Sequence, residues 1–220
     1  METKQVDKAH YNFEKYVNKT RWISIWHQLN EVISLNPASV LEIGVGTGIF
    51  KNLLSHYGIK VKTVDIDPDL HPDYLASATK LPFSESTFDC VCAFQVLEHM
   101  PYNHSITAFS EMVRVSKRYI VLSLPDAKPM WRYSLHIPGS GPVNILVPIP
   151  CLPGGKENIW DEHYWEINVK NYHLRKVVDD FSKPGAKMIR TFRVPEKTYW
   201  RFFVFEKEIQ EHPGAKRNIL

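Results

Sequence analysis

The sequence predicts a doubly wound α/β domain built around a mostly parallel sheet. Apolar runs of strand length alternate with segments of helical periodicity between residues 39 and 124. One of these runs leads directly into Gly44, Gly46 and Gly48, and the next run ends in the acid Asp65. Strands that alternate with helices return to the same sheet, so this pattern is typical of parallel strands covered on both faces.

The first predicted element is a helix over residues 12–35, in which the apolar side chains fall near one stripe. Asn36-Pro37 ends this helix, because the residue before a proline disfavours the helical conformation. The helix belongs to a predicted N-terminal helical cover over residues 10–36.

Residues 37–125 form the predicted core of the domain. Its four strands are short apolar runs with the bounds Ser39–Ile43, Lys60–Asp65, Phe88–Phe94 and 119–124. A helix over 47–57, which Gly58 ends, follows the first strand, and a second helix over 106–115 precedes the last.

Residues 126–168 interrupt the alternation. They carry much of the chain's proline together with five large aromatic residues: Trp131, Tyr133, Trp160, Tyr164 and Trp165. Structureless loops of this length are uncommon in compact domains, and disordered segments are poor in aromatic residues. We therefore expect an ordered lid over a binding site.

A C-terminal unit over residues 169–208 closes the predicted domain. An amphipathic helix over 169–181 ends before Pro184-Gly185, and strands over 187–194 and 199–206 are joined by the four-residue turn PEKT. The sheet is thus expected to end in an antiparallel hairpin.

The composition argues against several classes of protein. The net charge is only +3 and no long stretch concentrates Lys and Arg, so no nucleic-acid partner is expected. No apolar run reaches the roughly 18–20 residues of a membrane-spanning helix, and the first residues lack a secretory signal, which together predict a cytoplasmic protein. Cys90 and Cys92 share a strand face without a matching Cys or His cluster, so we expect buried thiols and no metal site.

The glycine-rich loop predicts a ligand site at the end of the first strand. A strand that runs through glycines into a helix presents unpaired backbone N–H groups to an anionic or polar ligand. Asp65 follows about 20 residues later, where an acid suits the two hydroxyls of a ribose. A ribose-containing cofactor is therefore expected, although the dinucleotide fingerprint would need glycine where Ile49 stands.

Three sequence segments, taken in their order along the chain, indicate a particular protein family. They are VLEIGVGTG at 40–48, LASATKLPFSESTFDCVCAFQVLEHM at 75–100 and EMVRVSKRYIVLSLP at 111–125. At these residues the chain resembles the class I S-adenosylmethionine-dependent methyltransferases. The resemblance implies a Rossmann-like, mostly parallel seven-stranded sheet, with the proline-rich segment inserted after its fifth strand.

The resemblance also implies the roles of single residues. Glu42, Gly44 and Gly46 are expected to line the methionine moiety of S-adenosylmethionine, with Gly48 opening the helix and Gln95 facing the methionine end.

On the other side of the cofactor, Asp65 is expected to bind the ribose hydroxyls and Ile66 to pack on the adenine face, with Ala78 and Thr79 near the adenine edge. The family often has Asp where this chain has Ser77, which weakens the expected hydrogen bond to the adenine amino group.

The expected reaction is methyl transfer by in-line displacement to a small-molecule or glycan-type acceptor. The chain lacks the Asn/Asp-Pro-Pro-Tyr and strand-four Pro-Cys motifs of nucleobase methylation. Two alternatives stay open: a non-catalytic S-adenosylmethionine-binding or scaffold protein of the same fold, and a nicotinamide-dependent oxidoreductase.

The predicted general base is His163, because histidine ordinarily ionises close to neutral pH. It lies in WDEHYWE at 160–166 beside the acids Asp161, Glu162 and Glu166. The alternative is that the aromatic residues form a small core under the loop and His163 hydrogen-bonds backbone. The apolar stretch 142–153 is a second candidate contact, for a lipid-linked acceptor.

Overall fold

The computed structural model describes residues 18–139, 141–150 and 162–208. Within them the chain forms nine strands: β1 (Ser39–Ile43), β2 (Lys60–Asp65), β3 (Tyr74–Leu75), β4 (Phe88–Phe94), β5 (Ser116–Pro125), β6 (Met130–Ile137), β7 (Gly141–Pro148), β8 (Ala186–Val194) and β9 (Lys197–Lys207). The α-helices of the described residues are α1 (Lys19–Ser34), α2 (Ile49–His56), α3 (Tyr102–Val115) and α4 (Leu174–Ser182). Two short 3₁₀ turns cover Pro68–Leu70 and Leu97–His99.

Seven of the strands form one sheet in the order β3-β2-β1-β4-β5-β9-β8. The strands β1 to β5 are parallel, and β9 runs antiparallel between β5 and β8. This confirms the predicted doubly wound, mostly parallel sheet that ends in an antiparallel hairpin. The strand order reverses between β1 and β4, and ligands of such sheets bind outside the carboxyl ends of the strands at that point.

The bounds of β1, β2 and β4 agree with the sequence prediction to the residue. The helix predicted over 169–181 is shorter and begins at Leu174, because Asn168 and Lys170 have φ angles of 64° and 49°, which no right-handed helix contains. The predicted four-residue turn is also wrong, since Val194 pairs directly with Lys197 and leaves a two-residue turn. Residues 12–17 of the first predicted helix lie outside the described residues.

Apolar side chains bury both faces of the sheet. On one side they pack beneath α3 and α4, where Phe109 and Phe181 stack with ring centroids 4.8 Å apart. On the other side they pack beneath α1 and α2, and this layer contains Cys90 and Cys92. Burial raises the pKa of both thiols, which are unreactive as a result.

The segment 126–168 contains a separate antiparallel hairpin, β6–β7, that the sequence analysis did not predict. Its aromatic residues have two different environments. Trp165 is completely buried in the main core, whereas Trp131, Tyr133 and Tyr164 are 50–52% exposed. Trp160 lies outside the described part of the chain.

Asp126 anchors the start of this segment to the last two strands. Its buried carboxylate forms ion pairs with Arg193 and Arg201, and it accepts a hydrogen bond from the amide of Asn168 at 2.7 Å. Asp126 and Asn168 stand at the two ends of the inserted segment, so this cluster fixes where the chain leaves and rejoins the sheet.

Replacing Asp126 with asparagine is expected to lower the free energy of unfolding by about 3–5 kcal/mol, because it leaves buried arginine charge uncompensated. Chemical denaturation measures the change. The matched control is Asp179→Asn, which removes an exposed pair with Arg175 and should cost less than about 1 kcal/mol. A loss for Asp126→Asn as small as that of the control would show that the buried cluster does not stabilise the fold.

Candidate active site

The glycine loop follows β1 and has the backbone that only glycine adopts without strain. Gly44, Gly46 and Gly48 have φ angles of +83°, +53° and +71°. A Cβ atom added to Gly44 would lie 2.5 Å from Cγ2 of Val96, in the loop that follows β4. The loops after β1 and β4 therefore pack directly on each other at the point where the strand order reverses. Gly48 is the N-cap of α2. Because glycine has no side chain, the first N–H groups of α2 receive no hydrogen bond from the N-cap side chain.

Asp65, the last residue of β2, connects two loops of the site. Its Oδ2 accepts a hydrogen bond from the backbone N–H of Val45 at 2.9 Å, and its Oδ1 accepts one from the backbone N–H of Asp67 at 3.0 Å. Because each carboxylate oxygen has two lone pairs, the side chain keeps acceptor capacity for ribose hydroxyls. The structure thus assigns Asp65 a local structural role that is compatible with the predicted binding role.

The predicted adenine-side residues lie next to Asp65. The carbonyl oxygen of Asp65 accepts a hydrogen bond from the N–H of Ala76, which brings the following loop alongside β2. In that loop Ala78 is buried and Thr79 is partly buried, while Ile66 stays 38% exposed after β2. The Ser77 hydroxyl contacts Oγ1 of Thr79 at 2.7 Å and accepts a hydrogen bond from the Thr79 N–H at 3.0 Å, so it stabilises the loop itself.

Gln95 directly follows β4 and has a left-handed conformation with φ 56°, which is uncommon for a residue other than glycine. Its backbone N–H donates to the carbonyl of Ser123 at 3.0 Å, and its side-chain amide donates to the Ser123 hydroxyl at 3.3 Å. Both bonds tie the turn to β5. The role predicted for Gln95 at the methionine end of the cofactor stays a prediction.

Glu42 places a buried carboxylate beneath the glycine loop. The residue is 4% exposed, and its Oε2 has no hydrogen-bond partner among the described residues. Burial raises the pKa of Glu42 well above its usual value, with Lys51 opposing and Asp65 reinforcing the shift. A buried, unpartnered carboxylate is unfavourable by itself and is relieved by a cationic or hydrogen-bond-donating ligand.

Glu42→Gln is expected to stabilise the ligand-free protein increasingly as pH rises above about 4.5. Because the folded-state pKa of Glu42 lies above its unfolded value, its contribution to stability is complete below the unfolded pKa and is lost as pH rises towards the folded pKa. The advantage of the variant should grow by at most about 1.4 kcal/mol per pH unit. Urea unfolding at several pH values measures this, with Glu85→Gln, whose side chain is 73% exposed, as control. A pH-independent difference would contradict the burial argument.

The segment that carries His163 docks on the loop after β4. The N–H of Tyr164 donates to the carbonyl of Glu98 at 2.8 Å, and the indole N–H of Trp165 donates to the carbonyl of Leu97 at 3.1 Å. Nδ1 of His99 lies 2.9 Å from the carbonyl oxygen of Glu162. The same loop contacts the glycine loop through Val96, so it links His163 to the predicted cofactor site.

His163 and Glu166 form a pair with the geometry of an oriented imidazole. Nδ1 of His163 lies 2.8 Å from Oε1 of Glu166, which is 1% exposed. When Glu166 is ionised it can only accept, so Nδ1 carries the proton and Nε2 carries the lone pair. The alternative interpretation of this segment was an aromatic core with His163 hydrogen-bonded to backbone. In the structure Trp165 does lie in the core, but the His163 side chain contacts a carboxylate and not the backbone.

Glu98 and His99 complete this cluster. Glu98 is completely buried, and neither of its carboxylate oxygens has a hydrogen-bond partner among the described residues. Burial raises the pKa of Glu98 to about 8, and the charge of Glu166 adds to the shift. Glu98, His99 and His163 each offer one ligand atom, and these atoms lie within 4.8 Å of one another. Because two histidines and one carboxylate also occur as a metal-ligand set, tests of His163 need a metal control.

Glu98 is not among the site residues predicted from the sequence, and the structure buries its side chain completely. The signal available was the Leu-Glu-His run at the end of the segment 75–100. Asp161, the remaining acid proposed near His163, lies outside the described residues.

Residues 41–121 match the sequence profile of a family described as a methyltransferase domain. The matched range contains the glycine loop, Asp65 and the loop after β4. The chain contains a methyltransferase domain over these residues. No curated protein sequence matches this methyltransferase.

Solved structures share the fold of the methyltransferase. The PH0226 protein from Pyrococcus horikoshii OT3 matches with a TM-score of 0.60 at 18% identity, over 92% of this chain and 100% of that one. The 1,6-didemethyltoxoflavin-N1-methyltransferase from Burkholderia thailandensis, with 1,6-didemethyltoxoflavin and S-adenosylhomocysteine bound, matches with a TM-score of 0.58 at 13% identity, over 91% and 85%. The magnesium protoporphyrin IX methyltransferase from Synechocystis PCC 6803, with S-adenosylhomocysteine bound, matches with a TM-score of 0.59 at 14% identity, over 90% and 88%.

Proposed function

We propose that this methyltransferase methylates a hydroxyl group of a small-molecule or glycan-type acceptor, with His163 as the general base. The observation that carries the proposal is the His163–Glu166 pair, docked on the same loop that packs against the glycine loop. A hydroxyl acceptor must lose its proton, and an imidazole oriented by a carboxylate can accept it.

The buried carboxylate of Glu42 supports the cofactor residues proposed from the sequence. Glu42, Gly44 and Gly46 would line the methionine moiety, because the buried Glu42 carboxylate suits its ammonium group. Gly48 would open the helix beside it, and Gln95 would face the methionine end. When bound, S-adenosylmethionine supplies a sulfonium methyl group, whose carbon–sulfur bond breaks as the bond to the acceptor oxygen forms.

At the other end of the cofactor, Asp65 would accept the two ribose hydroxyls through its remaining lone pairs. Ile66, whose side chain is 38% exposed, would cover one adenine face. Ala78 and Thr79 would border the adenine edge from the adjoining loop.

In the proposed mechanism the acceptor proton passes to Nε2 of His163. Glu166 holds the opposite nitrogen protonated and stabilises the imidazolium that results, as a buried carboxylate does for other oriented histidines. Burial keeps Glu98 protonated to about pH 8, which avoids a second negative charge next to Glu166.

The choice of a small acceptor is supported by two structural relatives, which act on 1,6-didemethyltoxoflavin and on magnesium protoporphyrin IX. It is also supported by the absence from the sequence of the nucleobase-methylation motifs. The proposal of a hydroxyl oxygen as the methylated atom depends on His163, because a hydroxyl needs a base. A soft nucleophile such as a thiolate would need no base.

Calorimetry and a transfer assay test the proposal. S-adenosylhomocysteine should bind and NAD should not, and labelled methyl groups should pass from S-adenosylmethionine to hydroxyl-bearing acceptors. Binding without transfer to any acceptor would favour the scaffold alternative, and binding of NAD alone would favour the oxidoreductase. Transfer only to thiols or amines, with no effect of His163, would retain the methyltransferase and overturn the hydroxyl acceptor.

A further inference from the structure

The hairpin β6–β7 has one face made entirely of apolar and aromatic side chains. Residues paired across the hairpin point to the same side, and the pairs Trp131–Val147, Tyr133–Ile145 and Leu135–Val143 are directly opposite each other. We call this the apolar hairpin face, and its residues are Trp131, Tyr133, Leu135, Ile137, Val143, Ile145 and Val147. Each of them is between 38% and 53% exposed.

The opposite face of the hairpin carries the polar residues Arg132, Ser134 and Asn144, of which Arg132 and Ser134 are exposed. Arg132 donates to the Ser134 hydroxyl at 3.0 Å and to the Asn144 amide oxygen at 3.1 Å. Asn144 also lines a cavity together with residues of α1 and of the β8–β9 turn, among them Trp26 and Glu196. An antiparallel sheet with one wet face normally buries its apolar side. This hairpin presents its apolar side outward, so that face is shaped to contact something other than the domain.

The charged residues around the hairpin indicate which kind of partner contacts the apolar hairpin face. Residues 127–150 contain the exposed Lys128 and Arg132 and no acidic residue, although the chain as a whole has 24 acids and 27 Lys and Arg. Basic residues beside an apolar face with Trp and Tyr are the combination that binds anionic lipid headgroups while the rings enter the interface. A protein partner of matching apolar shape would not require the whole stretch to be free of acids.

We infer that the apolar hairpin face docks on an anionic lipid bilayer surface. The hairpin leaves the sheet just after Pro125, the end of β5, and therefore stands at the same sheet edge as the proposed active site. The cluster around Asp126 fixes this placement. Docking would bring the headgroup of an amphiphilic acceptor to the site, although lipid binding itself does not depend on the proposed function. No helix of the described residues is long and apolar enough to cross a bilayer.

Vesicle co-sedimentation of the full chain without cofactor tests the inference. Binding to vesicles of phosphatidylcholine with phosphatidylglycerol should be about tenfold or more stronger than to phosphatidylcholine alone, and should weaken as salt is added. Tyr133→Ser and Ile145→Asp should each reduce binding about tenfold or more. The matched control is Tyr57→Ser, which removes a 68% exposed tyrosine at the end of α2 and should leave binding unchanged.

Three results would overturn the inference. They are no vesicle binding by the wild type, equal binding by Tyr133→Ser and Tyr57→Ser, or a wild-type dimer in light scattering that Ile145→Asp converts to a monomer. The last result would assign the face to a second copy of the chain. Unchanged S-adenosylhomocysteine affinity in the Ile145→Asp variant would show that it is folded, so failure of lipid docking stays separate from failure of the proposed function.

Discussion

His163→Asn is expected to lower kcat about 100-fold or more without changing the affinity for S-adenosylhomocysteine. The asparagine amide can still donate to Glu166, as Nδ1 of His163 does, but it offers no nitrogen that accepts the acceptor's proton. The packing of Trp165 and the bond from Tyr164 to Glu98 should persist, so the fold is expected to survive. Steady-state kinetics and calorimetry on the same preparations measure the two quantities.

The control for this change is His104→Asn, which alters an exposed histidine on α3 and should leave kcat unchanged. Glu166→Gln should lower kcat less than His163→Asn, because it retains the base but no longer stabilises its charged form. Unaffected turnover in His163→Asn, or a joint loss of cofactor affinity and thermal stability, would remove the base assignment. Activity that a chelator abolishes and one divalent metal restores would instead make Glu98, His99 and His163 metal ligands.

Asp65→Ala is expected to weaken S-adenosylhomocysteine binding at least about tenfold. Hydrogen bonds to a carboxylate contribute about 1.5–3 kcal/mol each, so losing those to the ribose hydroxyls is sufficient. The variant also frees the N–H groups of Val45 and Asp67, which loosens the loops after β1 and β2. Calorimetric titration measures the loss of affinity, and thermal unfolding measures how far the loosened loops destabilise the protein. Together they separate lost ribose contacts from lost loop structure.

Asp89→Ala is the matched control for this loss. Asp89 likewise accepts from two backbone N–H groups, those of Ala38 and Ser39, but it lies at the opposite end of the strands. Both variants should lose some stability, and only Asp65→Ala should lose cofactor affinity. Equal affinities in the two folded variants would exclude Asp65 from the site, and the proposed cofactor geometry would then fail.

Local sequence patterns determined much of the architecture. The bounds of β1 and β2 follow from strong breakers on either side, namely Pro37 and Gly44 around β1 and Gly58 and Pro68 around β2. The bounds of β4 follow from its nearly continuous apolar run. The positive φ angles of Gly44, Gly46 and Gly48 follow from residue type, since glycine alone adopts them freely. The hairpin β6–β7 also carried a signal, the alternation of Trp131 and Tyr133 with polar residues, but the prolines at its ends obscured it.

The tertiary structure decided the contacts between residues far apart in the chain. Nothing near Asp126 predicts that Arg193 and Arg201 meet it, and nothing near Leu97 predicts that Trp165 donates to its carbonyl. The burial of Glu98 and the outward direction of the apolar hairpin face are likewise set by what packs on each side. A sequence pattern reports the periodicity of one segment, whereas the partners of a buried charge or an exposed face depend on which segments the completed sheet brings together.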